Sequence, residues 1–179
     1  MLQSKTHPVK VSRMRLVVLL QLALLPAPLA AQSASLRPWV RPDSAARSVT
    51  LDLAAVHTAG AAGPTLNGIS YGAVQIVVPL GWTVLIEWRN ADSTAAHSFV
   101  VQQEREKLPE RAGEPAFPNA YSRSPVTGMA RGRTDRTPFV VDQAGWYWIL
   151  CGVPGHAIRG EYLSLKVDRD ASGVSLIAR

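Results

Sequence analysis

Short bursts of alternating apolar and polar residues, separated by turns rich in glycine and proline, make up most of the chain beyond residue 48. In residues 83–89, Val84, Ile86 and Trp88 alternate with Thr83, Glu87 and Arg89, and only Leu85 interrupts the polar face. A period of two puts successive side chains on opposite faces of an extended chain, so this segment predicts a half-buried strand. Residues 161–168 do the same, with Leu163, Leu165 and Val167 on one face and Tyr162, Ser164 and Lys166 on the other. Further strands are predicted at residues 49–56, 73–79, 139–142 and 146–151, with turns at Pro79-Leu80-Gly81, Asn90-Ala91-Asp92-Ser93 and Ala144-Gly145. His97 opens another run in phase with Phe99 and Val101, so its ring is expected to point the way the core residues point. Many short strands without sustained helical periodicity predict an all-β fold, a Greek-key sandwich or barrel.

Two stretches lack this pattern. Residues 32–48, rich in Ser, Ala, Pro and Arg, are expected to form a flexible lead-in, and residues 170–179 a C-terminal tail, leaving 49–169 as a single domain. Residues 102–137 are polar, charged and broken by Pro109, Gly113, Pro115, Pro118, Pro125, Gly128 and Gly132. They form one long insertion, and because structureless loops of that length are uncommon, a short helix or strand is expected near residues 105–111.

The first 31 residues have a different character. Lys5, Lys10, Arg13 and Arg15 precede an apolar run over residues 16–25, followed by Pro26, Pro28 and the small residues Ala30 and Ala31. This is the pattern of a secretory signal cut near Ala31. The run falls short of the ~20 residues that a spanning helix needs. An exported, periplasmic or otherwise extracytoplasmic protein is expected, with no membrane span after processing and membrane association only if the signal is retained. The formal charge of +6 misleads: four of the nineteen basic residues and none of the thirteen acids lie in this segment, so the remainder is about +2. With no basic block interleaved with aromatics, a nucleic-acid partner is not expected.

Exported proteins commonly use cysteines in pairs, yet Cys151 stands alone, so no intramolecular disulfide can form. Such a thiol is inert, a nucleophile, or held as a metal thiolate, and its neighbours choose among these. Cys151-Gly152-Val153-Pro154-Gly155-His156 places an imidazole five positions from the sulfur on a tight loop between two strands, and His97 supplies a second imidazole from a distant segment. One thiolate and two imidazoles can make a trigonal N₂S site, and that mixture of soft and intermediate donors suits both copper states.

These residues carry a resemblance. The Cys-x₄-His-x₄ loop, His97-Ser98-Phe99, and Tyr147-Trp148-Ile149-Leu150 leading into Cys151 resemble a cupredoxin. More narrowly, Asn67-Gly68, Ile76-Val77-Val78-Pro79-Leu80-Gly81-Trp82 and residues 151–157 resemble the sulfocyanin family, the similarity running over residues 49–168. The resemblance implies a blue-copper fold holding one Cu(I)/Cu(II) ion and an electron carrier in a respiratory chain. It also implies redox protein partners of oxidase or cytochrome type. A monomer is expected.

One position departs from the family: Glu161 stands where a methionine usually supplies the weak axial ligand, and Met129, the one methionine after the signal, is remote in sequence. Glu161 is in phase with Leu163, Leu165 and Val167, which turns it inward, where an unpaired carboxylate is costly. The expected metal ligands are therefore His97, Cys151, His156 and Glu161. Otherwise Glu161 swings out to pair with Arg159, and water or the Ala96 carbonyl caps the metal. Ser98 is expected to brace the two ligand loops by hydrogen bonding. The His156 edge, ringed by Pro154, Gly155, Ala157 and Ile158 with Pro79 and Leu80 as neighbours, is the expected electron exit, and Arg159 would steer an acidic partner. Trp82, Trp88, Trp146 and Trp148 are read as packing and His57 as surface.

Other functions remain open from these residues. Cys151 could be an enzyme nucleophile with a histidine base. Two histidines, a cysteine and a carboxylate could hold zinc, or copper for delivery without electron transfer. A carboxylate-ligated red copper site with an open position could bind a small molecule such as nitric oxide.

Overall fold

The computed structural model describes residues 37–57, 60 and 63–179. The signal segment 1–31 and the first part of the lead-in lie outside the described residues. Ten strands carry the described chain: β1 (Val40–Asp43), β2 (Ser48–Val56), β3 (Thr65–Leu66), β4 (Val74–Pro79), β5 (Thr83–Asn90), β6 (Val100–Gln103), β7 (Thr134–Val140), β8 (Gly145–Leu150), β9 (Tyr162–Asp168) and β10 (Ser175–Ala178). The helical segment among the described residues is a three-residue 3-10 turn, Ala157–Arg159. The fold is all-β, as the period-two pattern predicts.

Two five-stranded sheets form. One runs β1-β2-β5-β7, with β3 also paired to β2, and the other runs β10-β4-β9-β8-β6. The pairs β2/β5 and β4/β9 are parallel, so the chain must cross between sheets rather than meander within one. Alternation decides what each face buries. Val49, Leu51, Leu53 and Ala55 of β2 and Val84, Ile86 and Trp88 of β5 meet Ile76 and Val78 of β4 and Leu163, Leu165 and Val167 of β9 in one apolar cluster. Each such aliphatic side chain taken from water contributes about 1.5–3 kcal/mol, and that clustering fixes the strand register.

Several expectations need correction. The lead-in is not structureless: β1 forms within it and pairs Val40 with Leu51, burying Val40, while Pro42 sits on this edge strand where its missing N–H costs little. The tail contains β10, which pairs with β4. β7 starts at Thr134 rather than near Phe139, because Thr137 takes an inward position that apolar residues usually fill. Residues 105–111 form neither helix nor strand. The long insertion is held instead by backbone bonds, from Ala112 N–H to Gly152 O (2.9 Å), Ala116 N–H to Val101 O (2.8 Å) and Ser122 N–H to Phe99 O (2.9 Å). These bonds drape it over the pole where β5 and β8 end and β6, β7 and β9 begin.

Candidate metal centre

Three segments meet at that pole: residues 90–99 after β5, the loop 151–161 between β8 and β9, and the part of the insertion around Met129. The 151–161 loop is closed at its base by Cys151 N–H donating to Glu161 O (3.0 Å), and tightened within by His156 N–H to Val153 O and Glu161 N–H to His156 O, both 3.1 Å. Gly160 ends the 3-10 turn at φ 104°, a left-handed conformation that glycine adopts without steric cost. His97 precedes β6 rather than lying in a strand. Its backbone pairs with Met129, N–H to O at 3.2 Å and O from N–H at 2.8 Å. Met129, remote in sequence, is therefore a spatial neighbour of His97.

His97, Cys151, His156 and Glu161 come together, one potential ligand atom from each lying within 4.8 Å of all the others. His97 Nδ1 is 3.2 Å from His156 Nδ1 and 3.9 Å from Cys151 Sγ, while His156 Nδ1 is 3.5 Å from that sulfur. Glu161 Oε2 lies 2.9 Å from His97 Nδ1 and 3.1 Å from His156 Nδ1. His97, Cys151 and Glu161 are wholly buried, and His156 is 7% exposed. The second Glu161 oxygen, Oε1, is buried without a hydrogen-bond partner. Arg159 is exposed and makes no ion pair with Glu161 among the described residues.

Such a cluster is unfavourable without positive charge at its middle. Lone pairs on nitrogen, oxygen and sulfur face one another in a region closed to water, and a buried carboxylate oxygen without a partner is costly. A metal ion or a shared proton resolves that conflict, and the donor chemistry fits copper. Burial, reinforced by the Glu161 charge and only partly offset by N–H groups from Ser98 and Val153, holds the Cys151 thiol far above its ordinary pKa. Burial lowers the proton affinity of His97, but hydrogen bonds and charge from Glu161 and Asp92 outweigh it and raise the pKa overall.

Ser98 sits between the ligand segments. Its hydroxyl donates to Pro125 O (2.7 Å) and accepts from Gly152 N–H (3.0 Å), while its own N–H points at Cys151 Sγ from 3.5 Å. Ala96, just before His97, packs against Gly128. Pro154 and Ile158 are exposed beside His156, Ile158 at 53%. Pro79 and Leu80 do not belong to this rim. Pro79 pairs with Asp168 at the far end of β9, roughly 20 Å of extended chain from Glu161. His57 is exposed. Trp82, Trp88 and Trp148 are buried, but Trp146 is 46% exposed, with the Lys166 ammonium and Arg179 guanidinium over its ring.

Sequence reasoning missed Asp92. Its Oδ2 lies 3.0 Å from His97 Nε2, and Thr94 N–H and Oγ donate to its Oδ1 at 2.6 and 2.7 Å. Asp followed two places on by Thr is a turn signature, and turn was all it was taken to mean.

The two-sheet scaffold with this donor set at one pole is that of the cupredoxins, the class of type 1 copper proteins. A family model described as the Sulfocyanin (SoxE) domain matches residues 38–175, so the chain belongs to the sulfocyanin family. Among solved structures it is similar to rusticyanin from Thiobacillus ferrooxidans, at 21% identity over 73% of this chain and 86% of that one, with a TM-score of 0.42. It is also similar to the copper nitrite reductase of Nitrosomonas europaea, at 26% identity over 68% of this chain and 41% of that one (TM-score 0.49). Copper-containing nitrite reductase from Thermus scotoductus matches at 21% identity, 68% and 28% coverage and a TM-score of 0.49. Comparison with curated proteins gives no match.

Proposed function

We propose that the protein is a one-electron carrier of the cell envelope that binds one copper ion through Cys151, His97 and His156, with the Glu161 carboxylate in place of the usual axial thioether. When bound, copper supplies the Cu(II)/Cu(I) couple. The observation that carries the reading is the buried convergence of four donor atoms from His97, Cys151, His156 and Glu161. The chain's own groups limit rearrangement. The Ser98 bonds and the closed base of the 151–161 loop fix the sulfur, and the backbone pair with Met129 fixes His97. Burial excludes water from the sulfur.

The same burial weighs against Cys151 as an enzyme nucleophile, since a thiol with a strongly raised pKa is a poor source of thiolate. The exposed Pro154 and Ile158 beside His156 suit brief docking of a cytochrome or oxidase, and Arg159 favours an acidic partner. An envelope location is supported by the signal pattern of residues 1–31. N-terminal sequencing of the protein from fractionated cells tests it, and a cytoplasmic, uncut chain would refute it.

An absorption and EPR spectrum of the copper-loaded protein tests the centre. Thiolate-to-Cu(II) absorption is expected, and Glu161→Met is expected to turn the site bluer and raise its potential, because a hard anionic oxygen stabilises Cu(II) more than a thioether does. Colourless protein that leaves its sulfhydryl open to labelling would refute copper–thiolate ligation, and an unchanged spectrum in Glu161→Met would refute ligation by Glu161.

A further inference from the structure

Asp92 is only 2% exposed, and both its oxygens are committed. Oδ1 accepts from Thr94 N–H and Oγ–H, which leaves Oδ2, 3.0 Å away, for His97 Nε2. The turn that presents it is itself anchored. Asp92 N–H donates to Asn90 Oδ1 (2.9 Å), and Asn90 Nδ2 donates to Ala95 O (2.9 Å) and Met129 O (2.8 Å), Met129 being the backbone partner of His97. Ring and carboxylate are thus held to one frame.

We propose that Asp92 is a positioning residue that sets the tautomer of His97 and lowers the reduction potential of the copper centre. The proposal rests on the reading of His97 as a ligand. An ionised carboxylate only accepts hydrogen bonds, so beside Asp92 Oδ2 the Nε2 atom must carry a hydrogen, and Nδ1, which faces the cluster 2.9 Å from Glu161 Oε2, is the nitrogen that a metal ion would take in place of a hydrogen. Nδ1 is the atom that stands 3.2 Å from His156 Nδ1 and 3.9 Å from the sulfur. The opposite tautomer would put a lone pair against the buried Oδ2, with no water to relieve it. A carboxylate behind the ring makes the imidazole a stronger donor. It also adds a third negative charge to those of Cys151 and Glu161, and in a dry site that favours Cu(II) over Cu(I).

The decisive comparison is of copper-loaded wild type, Asp92→Asn and Thr94→Val. Asp92→Asn keeps the shape and an acceptor oxygen but removes the charge. It is expected to shift the Cu(I)-to-Cu(II) affinity ratio at least tenfold toward Cu(I), about 59 mV for a one-electron couple. Thr94→Val strips a donor from the carboxylate, leaves its charge less compensated, and is expected to shift the ratio the opposite way. A purely structural role would not give opposite signs. A ratio within twofold of wild type in Asp92→Asn, at an intact thiolate absorption band, overturns the proposal. If that variant does not fold, a Thr94→Val shift toward Cu(I) or none at all overturns it. Ring nitrogen NMR of the metal-free wild type reads the pairing without copper: a hydrogen on Nε2 that exchanges slowly is expected, and a bare Nε2 overturns the proposal. Colourless wild type with that slow Nε2–H would refute the ligand reading and leave the Asp92–His97 pair standing.

Discussion

Ser98 shows how much one hydroxyl can hold. It accepts the buried Gly152 N–H and donates to the part-buried Pro125 O, while the shorter contact to the sulfur comes from its backbone N–H, at 3.5 Å against 3.9 Å for the hydroxyl. Ser98→Ala leaves an unmet donor and an unmet acceptor, and is expected to destabilise folding by about 1–3 kcal/mol while largely keeping the colour. Denaturant unfolding of the copper-loaded variant measures this, and an unchanged midpoint would show that water replaces the hydroxyl. At this scale the sequence was most legible where chemistry is carried by residue type. Cys151, His156 and the inward phase of Glu161 could be read directly, because the loop spacing and strand alternation that place them are local. Asp92 could not, since what distinguishes it from any turn aspartate is a ring reached through the folding of the next five residues.

The 151–161 loop and the insertion are built against each other at close range. A Cβ on Gly152 would meet the Pro125 carbonyl oxygen and lie 2.5 Å from Ala112 Cβ, both on segments already fixed by hydrogen bonds. Neither can move as a flexible side chain would. Gly152→Ala is therefore expected to cost about 1–3 kcal/mol or more and to hasten copper loss to a competing chelator. Stability and loss rates equal to wild type would show that the insertion yields freely. The insertion was illegible in sequence for the same reason that it works. Its hold is by backbone bonds to Val101, Phe99 and Gly152, which carry no residue signature, and its anchors Phe117, Ala120 and Met129 are scattered rather than periodic. β1 and β10 escaped notice because edge strands bury one face against a single neighbour, so only Val40 and Leu176 stand out as buried within them. The central strands β2, β5 and β9 were legible because both neighbours and the opposite sheet enforce alternation.

Across the whole molecule, the turn Pro79-Leu80-Gly81 and the ligand loop occupy opposite poles, so the rim around His156 is made by the ligand loop itself. Ile158, 53% exposed, is the large hydrophobic side chain open to solvent there. Ile158→Glu puts a charge that must lose its water into the apolar patch when two copies meet by this rim. Electron self-exchange between reduced and oxidised protein, followed by NMR line broadening, is expected to slow about tenfold at low salt, equivalent to ~1.4 kcal/mol, with the absorption spectrum unchanged. An unaltered rate would place the exit elsewhere.

The donor set is also unevenly shared along the chain. Three of its members lie within eleven residues of one loop, and His97 alone comes from outside it, 54 positions before the cysteine. An ion gripped by both parties acts as a cross-link that closes the intervening stretch, insertion included. The entropy of that long tether is surrendered only once the polypeptide has folded, so metal affinity and folding become one linked equilibrium.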